Sequence, residues 1–95
     1  MIKHVQIDKM LVLSTAHIKK ETGDALDADG GMCWLTSLSW QCYGWILWVE
    51  DQPMPEEVGY PDLAAIFALA RERGCSWVRL DCDGLKADAL EVFEW

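Results

Sequence analysis

The sequence predicts a single α+β domain over residues 1–95, with ferredoxin-like βαββαβ order, a four-stranded antiparallel or mixed sheet and two helices. Three observations carry that expectation. Trp45-Ile46-Leu47-Trp48-Val49 is apolar at every position, as in a strand covered on both faces. Leu63, Ile66, Phe67 and Ala70 fall at i, i+3, i+4 and i+7 between Pro61 and Gly74, a helical stripe with a start and a stop. Cys75 to Cys82 alternates, with Ser76, Val78, Leu80 and Cys82 on one side and Trp77, Arg79 and Asp81 on the other.

The first strand is read from about His4 to Ser14, because Val5, Ile7 and Met10-Leu11-Val12-Leu13 are rich in β-formers and Ser14-Thr15 ends the run. A short helix follows over roughly Lys19 to Ala28, weakened by Gly23 and stopped by Asp27-Ala28-Asp29-Gly30-Gly31. Two strands, Trp34 to Ser39 and Trp45 to Glu50, are joined by a turn at Gln41 to Gly44. In the linker Asp51 to Tyr60, Pro53, Pro55 and Gly59 exclude regular pairing and leave Glu56 and Glu57 on an exposed acidic loop. The second helix runs from Pro61 to Arg73, the last strand from Cys75 to Cys82, and Asp83-Gly84 turns the chain. The tail from Leu85 to Trp95 ends in Phe93 and Trp95, which are expected to pack back on the sheet. In a ferredoxin-like sheet the first and third strands lie parallel and central.

At 95 residues and 52% hydrophobic composition the chain can build a core without disulfides or metal. Its charge is uneven. Between Glu21 and Ala70 there are nine carboxylates and no Lys or Arg, and the same stretch holds Trp34, Trp40, Trp45 and Trp48. The net charge of −8 argues against direct nucleic-acid binding, whose affinity comes from Lys and Arg displacing counterions, and against an anionic membrane surface. It fits a basic protein partner, a charge mimic of nucleic acid, or simple solubility. Met10 to Leu13 is too short for a signal-peptide core, so four cysteines without an export signal point to a reduced, cytoplasmic chain.

Site chemistry is sparse. Cys33, Cys42, Cys75 and Cys82 are separated by eight, thirty-two and six residues, which lacks the short pairs of zinc sites. Asp81-Cys82-Asp83-Gly84 and Asp27-Ala28-Asp29-Gly30 fail the calcium-loop register, having Arg79 or Ala25 where the first carboxylate belongs. No phosphate-binding glycine motif occurs, and no metal or cofactor is expected. In the ferredoxin-like arrangement His17, Glu50 and Cys75 share one edge of the sheet, where a thiolate with an oriented base would make a small enzyme or ligand-binding module. Trp34, Trp40 and Tyr43 are hard to bury together in a domain this small, which makes them interface candidates and points to a homodimer. With Glu50, Asp51, Glu56 and Glu57 they form the expected binding set.

Ser14-Thr15-Ala16-His17, Tyr43-Gly44-Trp45 and the run Gly74 to Gly84 closing on Phe93-Glu94-Trp95 resemble a family of small uncharacterised bacterial proteins carried on phages, plasmids and other mobile elements. The resemblance spans most of the chain and is strongest in its last third; it carries context and no catalytic residue. That context implies a protein that blocks host defences by binding, including acidic decoys of nucleic acid, with a basic, nucleic-acid-handling protein as partner. Met32 to Tyr43 departs from the pattern and is where partner specificity is expected.

Overall fold

The computed structural model describes residues 5–28, 31–41 and 43–95. Strands β1 (Met10–Ser14), β2 (Ser37–Trp40), β3 (Gly44–Trp48) and β4 (Trp77–Asp81) form one mixed sheet, with helices α1 (Lys20–Asp27) and α2 (Pro61–Glu72) and 3₁₀ turns at Thr15–His17 and Pro55–Gly59. The domain is α+β with the element order the sequence predicts. Strand order across the sheet is β1-β4-β3-β2, with β1 parallel to β4 and the other two pairings antiparallel.

The expectation of a parallel central pair of first and third strands is corrected here. β3 is central, but its central neighbour is β4, and β1 lies at the edge. Burial on one and the same face gives the reason: Trp77 and Arg79 of β4 are half-buried there, whereas their neighbours Met10 and Val12 of β1 remain exposed. The doubly flanked position goes to the strand with more surface to bury. β1 is also shorter than expected, since residues 5–9 are exposed and outside the strand, and His4 lies outside the described residues.

All strand residues of the hydrophobic core belong to one face. Leu13, Val78, Leu80, Leu47 and Trp45 project from it against Leu63, Ile66, Phe67 and Ala70 of α2 and Leu26 of α1. Helix α2 follows its sequence signals: Pro61 opens it, and Gly74 at φ 69° closes it, with Gly74 N–H donating to Arg71 C=O and Cys75 N–H to Ala70 C=O, a Schellman cap. Helix α1 has no side-chain cap of its own. Asp62, in the first turn of α2, accepts from Lys19 N–H at 2.8 Å and Thr22 Oγ1 at 2.7 Å, so one buried carboxylate serves the positive ends of both helices.

β2 and β3 form the expected hairpin, shifted by three residues at its start; Gln41, at φ 50°, sits in its turn, and Cys42 lies outside the described residues. Asp29 and Gly30 of the expected helix stop also lie outside them. The start of the hairpin's second strand seats closely on β4, where a Cβ on Gly44 would overlap the Leu80 carbonyl oxygen. The tail wraps the 3₁₀ turn after β1 more than it covers the sheet: Ser14 N–H donates to Leu85 C=O and Phe93 N–H to Ala16 C=O.

Candidate functional site

The helices occupy one side of the sheet, and the strand register fixes what the other side carries. Met10, Trp77 and Trp48 form one row across β1, β4 and β3; Val12, Arg79, Ile46 and Leu38 form the next across all four strands. No described helix packs over these rows. Met10 is 40% exposed and Leu38 56%, while Ile46, Trp48 and Trp77 are half-buried against one another. Trp48 and Trp77 meet edge-on with centroids 4.9 Å apart. The open face of a half-covered antiparallel sheet is ordinarily polar, so a contiguous apolar face is the informative feature.

Arg79 stands within this face as its one described cation. Its guanidinium lies 4.4 Å from the Trp40 ring centroid, Nη2 is 3.8 Å from Asp81 Oδ2, and Nε is buried with no hydrogen-bond acceptor among the described residues. Tyr43 stacks at a tilt on Trp40, centroids 5.4 Å apart, and extends the face to the β2–β3 turn. Of the three expected interface aromatics, Trp40 and Tyr43 lie here. Trp34 does not: it packs against Tyr60 and the core.

The acidic linker begins where β3 leaves the sheet, directly after Trp48. Arg71 of α2 holds it, with Nε donating to Glu50 C=O at 2.8 Å and Nη2 to Gln52 C=O at 3.4 Å. The same Nη2 pairs with Glu57 at 3.2 Å. Glu57 is only 5% exposed and accepts from Met54 N–H at 2.7 Å within the 3₁₀ turn. The expectation of Glu57 on an exposed loop is therefore corrected: Pro53, Pro55 and Gly59 bar strand pairing but permit a 3₁₀ turn, which folds this carboxylate inward onto Arg71. Glu50, Asp51 and Glu56 are exposed as expected, and Arg71, already balanced by Glu57, leaves their charge uncompensated.

His17, Glu50 and Cys75 are not brought together. Glu50 and Cys75 border one shallow hollow at the end of β3 and the start of β4. His17 follows the end of β1, and because β4 is parallel to β1 and β3 antiparallel to it, that end is the opposite edge of the sheet. The expected shared edge required β1 and β3 to run the same way. His17 is instead a tie for the tail: 2% exposed, it accepts from Ala87 N–H through Nε2 at 2.8 Å and contacts Glu91 C=O through Nδ1 at 2.8 Å. A nitrogen that accepts carries no proton, so the ring is the neutral Nδ1–H form with Nδ1 as donor. Its lone pair is not available to a substrate.

Ligand atoms of Asp81, Cys82 and Asp83 lie within 4.8 Å of one another. Asp83 N–H donates to Asp81 Oδ1 at 2.9 Å, the hydrogen bond of an Asx turn, which explains the grouping without an ion. Cys33 and Cys75 carry free thiols. No described helix is long and apolar enough to cross a membrane.

The model of one protein family matches residues 10–95: the C-terminal domain of a family of unknown function, DUF5983. The chain belongs to this family. The DUF5983 match begins at Met10, the first residue of β1, and takes in the whole sheet, both helices and the tail. No curated protein and no solved structure matches the chain. The sequence separates Trp77, Arg79 and Asp81 from Val78 and Leu80 on the two faces of β4 without telling which face meets the core, and Arg79 was not singled out; the signal available was a cation alternating with tryptophan in a strand.

Proposed function

We propose that this DUF5983 domain is a protein-binding module that occludes a basic surface of a host protein, of the class that handles nucleic acids. The observation that carries the reading is the uncovered sheet face, where Met10, Val12, Leu38, Ile46, Trp48 and Trp77 surround Arg79 and where Glu50 and Asp51 follow at the end of β3. An apolar centre with a charged rim is the anatomy of a protein interface, in which the centre supplies affinity and the rim the rate and choice of partner. The overall charge of −8 supports a basic partner, and action in a host cytoplasm on behalf of a mobile element is the setting in which such a module has use. The pairing of His17 with tail backbone and its distance from Cys75 favour binding over chemistry.

Affinity capture from bacterial lysate with the parent and two variants tests this. Leu38→Lys places a charge in the apolar centre; Glu50→Gln, Asp51→Asn and Glu56→Gln together remove the exposed charge of the acidic linker and spare the structural Glu57. Leu38→Lys is expected to abolish capture of a basic protein. The triple variant should slow association at low salt and converge on the parent near 1 M, where the Debye length is about 3 Å. Capture of the same basic protein by parent and Leu38→Lys alike removes the sheet face from the reading.

A further inference from the structure

At the end of the sheet where β3 begins, a cleft of about 310 Å³ opens between the β2–β3 turn, the last turn of α1 and the end of the tail. Tyr43, Trp45 and Trp95 supply its aromatic lining, and Asp27, Gln41 and Thr15 its polar groups. Both indoles are fixed by their own hydrogen bonds: Trp45 Nε1–H donates to Asp27 Oδ1 at 2.8 Å and Trp95 Nε1–H to Ile18 C=O at 3.0 Å. They approach each other over Gly23, where an added Cβ would stand 3.2 Å from Cη2 of each ring. That close approach accounts for a glycine in the middle of α1, which propensity alone disfavours.

Asp27 is the informative member. It is the last residue of α1, whose final turn holds no basic residue, so its carboxylate sits at the negative end of the helix dipole. A cation brought to it there is attracted by the carboxylate and by the helix end together. Its Oδ1 is held by a buried indole, whereas Oδ2 receives no hydrogen bond from the described residues. Lys86 lines an adjoining hollow with Trp95 and Thr15 and is not among the groups lining this cleft. A negative charge with an open acceptor, set among aromatic faces in an open cleft, is the chemistry that recognises an organic cation.

We infer that the Asp27 cleft binds the guanidinium of an arginine side chain. The flat cation stacks on an indole while its N–H groups reach Asp27 Oδ2 and, on the rim, the Gln41 carbonyl and Thr15 hydroxyl, each of which is an acceptor. An ammonium offers no plane to stack and fewer directed donors. The inference rests on the reading of the chain as a binder of basic proteins and names the side chain it takes; Tyr43, shared between the cleft and the stack on Trp40, makes the two surfaces continuous.

The test is a titration of the ¹⁵N-labelled protein with N-acetyl-arginine methylamide, reading the indole N–H resonances of Trp45 and Trp95. The citrulline counterpart serves as the neutral isostere and the lysine counterpart as the ammonium. Saturable shifts in the millimolar range are expected with arginine, with citrulline and lysine roughly tenfold or more weaker. Asp27→Asn keeps an oxygen for Trp45 Nε1–H, so the indole should stay in place while arginine affinity falls by about tenfold. Equal response to arginine and citrulline, equal response to arginine and lysine, or unchanged affinity in Asp27→Asn each overturns the proposal. Should arginine bind as expected while no basic protein is captured, the cleft stands and the occlusion reading falls; a captured partner with no response to arginine gives the reverse.

Discussion

Replacing His17 with Ala should release the tail and leave the sheet intact. The imidazole is 2% exposed and takes up one backbone donor, Ala87 N–H, and one backbone acceptor, Glu91 C=O, both at 2.8 Å. A buried polar group that loses its partner costs about 1–3 kcal/mol, so two orphaned groups set a ceiling of about 6. The real cost is lower, because Lys86, Asp88, Glu91 and Val92 are already exposed and the segment can swing out to rehydrate both groups. A loss of about 2–3 kcal/mol is expected, which for a domain of this size lowers Tm by about 10–20 °C. Hydrogen exchange identifies where the loss falls: the Phe93 amide, which donates to Ala16 C=O at 2.7 Å, should lose protection along with Ala87, while amides of β3 and β4 keep theirs. His17→Gln, able to accept from Ala87 but not to reach both partners with ring geometry, should fall between parent and Ala. If His17→Ala melts within about 3 °C of the parent and Phe93 stays protected, the tie is not what holds the tail.

Three further outcomes are expected. Glu57→Gln breaks the charge pairing with Arg71, and with Glu57 buried and Arg71 part-exposed the loss should be about 1–3 kcal/mol in urea unfolding, whereas the exposed neighbour Glu56→Gln should be neutral within about 0.5. Gly44→Ala forces a Cβ against the Leu80 carbonyl at a backbone φ of 154°, so the hairpin cannot seat on β4 and soluble, cooperatively folding protein should not be obtained; a normal melting curve would contradict this. Self-association through the open face is expected as a concentration-dependent monomer–dimer equilibrium, since four strands of about five residues present roughly 300 Å², well below the ~800 Å² per partner of a standard interface; Leu38→Lys should shift sedimentation to monomer, and a parent that stays monomeric at high micromolar concentration removes the homodimer.

What could be read from the sequence was local. The α2 stripe, its Pro61 start and its Gly74 stop depend on neighbours within one or two turns, and all three are found. β3 was legible because five consecutive apolar residues leave few alternatives to a central strand. Which strand takes the other central place depends on how much surface β1 and β4 bury in the whole sheet, a long-range quantity, and there the ferredoxin-like arrangement misled. The His17–Glu50–Cys75 cluster inherited that error, since strand direction decides which ends share an edge. Glu57 was misplaced for another reason: an acidic, proline-rich linker reads as solvated until a specific Arg71, fourteen residues on, turns one carboxylate inward. The open face was half visible, in the alternation of Trp77, Arg79 and Asp81, but alternation shows two faces and does not say which one the helices cover.

Whether the uncovered sheet face is the contact surface is read by radical footprinting of its side chains in the complex with a captured basic partner. Met10, Leu38 and Trp48 report from three of the four strands, and exposed Val58 and Leu85, away from those rows, serve as references. Labelling of Met10, Leu38 and Trp48 is expected to fall on complex formation while Val58 and Leu85 are unchanged. Undiminished labelling of the three, with protection elsewhere on the molecule, would contradict it.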